Sequence, residues 1–173
     1  MKRRAWIWTV LLVGWIAFIW AHSLIAGEQS DETSLAFVEL LKSVFDFFGV
    51  TETSVQNHIL RKCAHFAEYF VLGLLARQTV VAWRDVRASS RDRAGLAAHM
   101  AGSSTSAPAA APPLAAGVLA PFLLGFLVAA IDENIQLYVP GRSGMVTDVL
   151  LDSAGVLCAV LVAQLISRRS KAA

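Results

Sequence analysis

Arg61-Lys62-Cys63-Ala64-His65-Phe66-Ala67-Glu68-Tyr69 opens an otherwise apolar stretch of membrane-spanning length. Arg61, His65 and Glu68 recur at i, i+4 and i+7, which places them in one polar stripe along one face of a helix. A charge near the centre of the hydrocarbon costs roughly 2.5–3.5 kcal/mol on insertion scales, and less toward the interface. A stripe of this kind inside a span requires groups elsewhere in the chain to offset it.

The chain around it is apolar enough to supply other spans. Of 173 residues, 56% are hydrophobic and 16% charged. That balance is the composition of a polytopic membrane protein rather than of a soluble core. The net charge of +2 decides little; the placement of the charges decides more. Cys63 and Cys158 both fall in apolar helices and neither has a CxxC partner. They read as buried thiols packing as small hydrophobes, which argues against a disulfide framework and against cysteine-held metal.

Taken in order, Met1-Lys2-Arg3-Arg4 followed by Ala5 to Ala21 has the form of a signal peptide or signal anchor. Trp6, Trp8, Trp15 and Trp20 are bulky where cleavage wants small residues, so a retained first span over about 5–25 is expected. Between Leu35 and Phe48, Phe37/Val38, Leu41, Val44/Phe45 and Phe48 share one side, with Glu39, Lys42/Ser43 and Asp46 opposite. This predicts an amphipathic helix lying in the outer interface. Thr53-x-x-Gln56 resembles a capping box that starts a second span over about 56–82. Residues 88–112, biased to Pro, Ser and Ala, predict a flexible loop. A third span over about 114–137 carries Gly117, Pro121 and Gly125 at four-residue spacing, suited to close helix packing. After the Tyr138-Val139-Pro140-Gly141 turn, a fourth span covers about 148–166. The expected fold is all-α: one polytopic membrane domain with four transmembrane helices and an outer amphipathic interfacial helix.

Orientation follows from the lysines and arginines. With the N-terminus cytoplasmic, the inner segments, counting Arg77 with the 83–113 loop, hold eleven of the fifteen basic residues. Only Lys42, Arg61, Lys62 and Arg142 lie outside. Both termini are therefore expected in the cytoplasm. This orientation gathers the membrane-level polar residues on one side. Arg61, Lys62, His65 and Glu68 end the second span outward; Asp132, Glu133 and Gln136 end the third; Arg142 sits in the outer turn; Asp148 and Asp152 begin the fourth. At about 1.5 Å per residue, Glu68 and Asp152 lie roughly 6–10 Å below the outer boundary. Mutual neutralisation accounts for part of this cluster, but its acids outnumber its cations. The surplus points to a bound cation, a raised carboxyl pKa or a cationic ligand group.

Arg61-Lys62-x-Ala-His65-Phe66-x-Glu68-Tyr69-x-x-Leu72-Gly73, Asp132-Glu133-x-x-Gln136, Pro140-Gly141-Arg142 and Asp148-Val149-x-x-Asp152-x-x-Gly155 occur in this order, preceded by Trp20-x-His22-Ser23. Together they resemble the VanZ-like family of small bacterial membrane proteins, over residues 15–160. The resemblance implies a multi-pass protein of the bacterial cytoplasmic membrane and cell envelope. The family's namesake is associated with low-level resistance to the glycopeptide antibiotic teicoplanin. The resemblance carries these residues as a signature and carries no reaction with them.

Three functional expectations follow, the last being a scaffold or partner-binding membrane protein whose polar cluster only fixes the fold. In the first, Arg61, Lys62 and Arg142 grip a phosphate or carboxylate of a lipid-linked cell-wall precursor or of a glycopeptide's lipid anchor, with Glu133, Gln136, Asp148 and Asp152 completing the pocket and the 35–48 helix forming one wall. In the second, the chain is a membrane-embedded hydrolase or phosphatase. His65 and Glu68 then act as general base or acid, Asp132 joins them, and Arg142 stabilises an oxyanion. A divalent metal held by His65, Glu68, Asp132 and Asp152 is a variant of this second reading. Ser143 and Ser153 read as structural. His22 reads as an interfacial histidine within reach of the cluster. Membrane lipids are the expected partners, and the arginines at 84–93 need no nucleic acid to explain them.

Overall fold

The computed structural model describes residues 1–25, 35, 37–101, 114–142 and 144–172, and every regular element among them is a helix. In chain order these are α1 (Lys2–Ser23), α2 (Lys42–Phe47), α3 (Thr53–Met100), α4 (Leu114–Gln136) and α5 (Val146–Ala172). In hydrocarbon each backbone N–H and C=O must be satisfied within its own segment, so long apolar runs become helices. α1, α4 from Gly117 and α5 to Arg169 are each long and apolar enough to cross a membrane. α3 does not reach that apolarity, because Arg61, Lys62, His65, Glu68 and Arg77 interrupt it.

α3 is the spine. It packs along both α1 and α5, and α4 closes against α5 and α3. Tyr69, Leu72 and Ala76 of α3 meet Ile19 of α1, Val128 and Ala129 of α4, and Val156 and Val160 of α5 in one buried cluster. Apolar burial alone does not favour association between helices in lipid, so close backbone approach matters more. Gly73 and Gly155 provide it: a Cβ on Gly73 would stand 2.7 Å from the Val156 carbonyl oxygen, and one on Gly155 2.7 Å from that of Phe66. Gly125 faces the Val156 side chain in the same way. Large apolar side chains such as Trp6, Val10, Leu123, Leu127, Leu161 and Leu165 point outward, as a lipid-facing belt does.

At the far end of the bundle Ala5 packs with Ala82 and Val86, flanked by Trp8 and Trp83. The Trp83 indole donates to Thr9 Oγ1 at 2.9 Å, and Trp6 meets Trp83 edge-on at 5.6 Å. These contacts bring the basic start of α1 beside the arginines of the second half of α3.

Several expectations need correction. The loop expected at 88–112 begins later, since α3 continues unbroken to Met100. Arg, Ala and Leu are good helix formers, and the Ser/Pro bias starts only at 103; residues 102–113 lie outside the described ones. At about 1.5 Å per residue α3 is roughly 72 Å long, well beyond a hydrocarbon core of about 30 Å. The 35–48 stretch is not one continuous helix. Residues 37–40 form a helical turn, Leu41 breaks the run, and α2 follows. No capping box forms at Thr53. Helix α3 starts there without a side-chain cap, and the Gln56 amide donates instead to the Val50 carbonyl. Cys63 and Cys158 are free thiols, as expected, but they are exposed on the outside of the bundle rather than buried.

Arg77, grouped above with the inner loop's cations, is instead buried. Its Nη2 donates to Gln164 Oε1 and to Ser167 Oγ of α5, both at 2.9 Å. Interhelical polar contacts in membranes average about 0.6 kcal/mol and reach about 1.7 kcal/mol. A double-mutant cycle of Arg77→Ala and Gln164→Ala, read by thermal unfolding in detergent, is expected to give a coupling within that range. A coupling indistinguishable from zero would refute the contact.

Candidate functional site

The polar residues collect at the opposite end of the bundle from the Trp83 contacts. Helix α3 contributes Arg61, Lys62, His65 and Glu68; α4 contributes Asp132, Glu133 and Gln136; α5 contributes Asp148 and Asp152. Arg142 comes from the turn between α4 and α5. Its backbone N–H donates to the Val139 carbonyl at 3.1 Å, with Pro140 second and Gly141 third at φ +74°. A positive φ at the third place is what a type II turn requires, and glycine adopts it without strain. The turn sends the guanidinium back over the bundle, where Nη2 donates to the His22 carbonyl at 3.4 Å. Burial pulls the Arg142 guanidinium below its ordinary pKa; neighbouring Arg61 adds to this, while Asp132, Glu68 and Glu133 oppose it. It stays protonated regardless.

Arg61, Lys62, His65, Arg142, Asp148 and Asp152 all line one pocket of about 130 Å³. His58 and Gln136 also line it; no residue of 37–48 does, so that segment is not the wall expected of it. Four of the contacts inside the cluster are neutralising or structural. Lys62 forms an ion pair with Asp148. His22 Nδ1 lies 3.2 Å from Glu68 Oε1. Glu133 is half of a brace: its Oε2 accepts the Met145 N–H at 2.9 Å, and its Oε1 accepts from Gln136 Nε2 at 3.1 Å.

Below these lies a different kind of group. Asp132 and Asp152 are both 0% exposed, and His65 stands beside them with its Nδ1 4.0 Å from Asp152 Oδ1. Gln136 Nε2 donates to Asp132 Oδ2 at 3.2 Å. The other Asp132 oxygen, both Asp152 oxygens and His65 Nδ1 make no hydrogen bond. The Ser23 hydroxyl lies within hydrogen-bonding reach of Asp132, and the buried Tyr69 hydroxyl, itself without a hydrogen bond, lies close to the same carboxylate. One ligand atom from each of His65, Asp132 and Asp152 falls within 4.8 Å of the others.

Every candidate site residue is thus found at this end of the bundle, but they divide by partner. Arg61, Lys62 and Arg142 line the pocket; His65, Asp132 and Asp152 converge beneath it; Glu68 turns toward α1. Ser153 is buried with no hydrogen bond to its hydroxyl, and Ser143 lies outside the described residues. Reading the residues missed the pairing of His22 with Glu68, the bond from Trp15 Nε1 to the Glu68 carbonyl at 3.0 Å, and the placement of Tyr69. The Trp20-x-His22-Ser23 block was the available signal for the α1 side. Helix α1 is apolar all round, so its inward face cannot be read from periodicity.

A family model described as VanZ/LLP1 matches residues 8–167. No curated protein and no solved structure matches the chain.

Proposed function

The chain belongs to the VanZ/LLP1 family, and from that footing we propose that it is a four-span protein of the bacterial cytoplasmic membrane whose outward-facing pocket binds an anionic headgroup. The headgroup is the phosphate or carboxylate of a lipid-linked envelope molecule, or of a glycopeptide carrying a lipid anchor. The observation that carries this reading is the convergence of Arg61, Lys62 and Arg142 on one pocket from two different segments. Guanidinium groups grip phosphate and carboxylate in bidentate fashion, which supplies geometry as well as charge.

Topology supports an outward pocket. Lys2, Arg3, Arg4, Arg84, Arg87, Arg91 and Arg93 lie at the other end, and the positive-inside rule assigns that end to the cytoplasm. Helix α3 then crosses as the fourth span, its polar stripe covered by α1, α4 and α5 rather than by lipid. The exposed Leu40, Phe47 and Phe48 suit an interfacial segment beside the outer leaflet. Headgroup binding accounts for the geometry better than hydrolysis does, because Glu68 pairs with His22 through Oε1 and makes no hydrogen bond to His65 among the described contacts. Where the ligand is a glycopeptide, the protein takes part in teicoplanin-type tolerance.

Purified protein in nanodiscs is expected to bind undecaprenyl phosphate or teicoplanin, and the Arg61→Ala/Arg142→Ala double variant to bind at least about tenfold more weakly, the loss expected when charge-assisted hydrogen bonds of about 1.5–3 kcal/mol disappear. An Arg84→Ala/Arg87→Ala control at the other end should bind like the parent. Equal binding by the parent and the Arg61/Arg142 variant overturns the reading.

A further inference from the structure

We infer that His65, Asp132 and Asp152 form a site for one divalent transition ion of the manganese or zinc class, beneath the anion pocket. The inference goes beyond headgroup binding and is tested without any headgroup. It rests on two independent observations. The first is convergence: three helices, α3, α4 and α5, each deliver one ligand atom to a space in which all three lie within 4.8 Å. A closed shell with ligand bonds of about 2.0–2.2 Å places its donors roughly 3–4 Å apart, so a small contraction suffices. The second is the state of the donors themselves. Asp152 is fully buried with both carboxylate oxygens unbonded, and Asp132 is fully buried with Oδ1 unbonded. Buried polar groups in native proteins are nearly always hydrogen-bonded, and those left open at one point mark a missing partner.

The surroundings have the form of a metal site's outer shell. Gln136 holds Asp132 by Oδ2 and leaves Oδ1 without a hydrogen bond. Ligating carboxylates are commonly oriented in this way by a second hydrogen bond. The backbone beneath the ligands is fixed, since Gly155 lies one turn below Asp152 in close contact with Phe66, the neighbour of His65. An imidazole with two carboxylates suits manganese or zinc, whereas calcium wants six to eight oxygens. His65 and Asp152 also line the pocket. The ion therefore enters from the pocket, and the coordination positions that the protein leaves open face the space lined by Arg61, Lys62 and Arg142.

The test uses the full chain in nanodiscs, stripped with chelator and dialysed against Mn²⁺ or Zn²⁺ with no lipid-linked ligand. About one ion per chain is expected, with affinity lowered by at least roughly 10–100-fold in Asp132→Asn and in Asp152→Asn. Asp46→Asn, on the exposed face of α2, should bind like the parent. For the Mn²⁺ form, electron spin echo spectra should show nitrogen coupling in the parent, and His65→Gln should lose that coupling in chains that still run as folded monodisperse protein. Substoichiometric binding, equal binding by all variants, or nitrogen coupling that survives in His65→Gln overturns the inference. None of these failures touches anion binding by Arg61 and Arg142, which is measured separately.

Discussion

Gly155→Leu is expected to yield little or no folded protein, with a loss of stability above about 3 kcal/mol, at the upper end of what overpacking costs. A Cβ at 155 would stand 2.7 Å from the Phe66 carbonyl oxygen, 3.3 Å from the Phe70 nitrogen and 3.4 Å from Tyr69 Cβ. Two of these three neighbours are backbone atoms of α3, which have no rotamer to change. Helix α5 would have to move away as a unit. It cannot do so cheaply, because Gly73 makes the reciprocal contact: a Cβ there would lie 2.7 Å from the Val156 oxygen and 2.9 Å from Ala159 Cβ. Separation at this crossing opens the cluster of Tyr69, Leu72, Val156 and Val160, and it draws Asp152 away from His65. Gly155→Ala meets the same atoms with a single methyl and should lose about 1–3 kcal/mol. Gly14→Leu is the control, since a Cβ there meets nothing within 4 Å. Fluorescence-detected size exclusion and thermal melts read all three variants. A Gly155→Leu protein that expresses and melts like the parent would show that α3 and α5 do not cross in this way.

The gathering of the polar residues at one end of the bundle is legible in the sequence for a physical reason. Charges at membrane depth are costly enough that their spacing in apolar helices betrays where they meet, so Arg61, His65, Asp132, Asp148 and Asp152 were legible as one group. Partner choice within the group was not. Whether Glu68 faces His65 or His22 depends on the rotation of α1, and a helix apolar on every side carries no periodic mark of its buried face. The partners of Arg77 were hidden for a related reason: near a span's end an arginine serves equally as a topology signal or as a buried donor, and the bonds to Gln164 and Ser167 on α5 are what reveal the second role. The continuation of α3 to Met100 was hidden because the Ala- and Arg-rich sequence after Trp83 is compatible with a polar linker as well as with helix.

Asp152→Asn should change stability in opposite directions depending on whether the protein carries a cation. In metal-free protein, Asp152 is a fully buried carboxylate without a hydrogen bond, close to Asp132 and His65. A buried group left unsatisfied costs about 1–3 kcal/mol, and more when it is charged. Asparagine has nearly the same volume, cannot ionise, and brings an amide donor toward the open oxygen of Asp132 or Nδ1 of His65. The metal-free variant should therefore be more stable than the parent by about 1–3 kcal/mol, which for a chain of this size raises the melting temperature by roughly 2–4 °C per kcal/mol. With the ion present at about 100 times its dissociation constant, the parent gains about 2.7 kcal/mol. The variant, lacking a charged ligand, gains little, so the order reverses. A carboxylate whose task is to hold the helices together predicts something else: the variant melts below the parent with or without metal. Paired melts after chelation and after Mn²⁺ or Zn²⁺ addition distinguish the two, because only a ligand of the ion makes the order of parent and variant reverse when the ion is added.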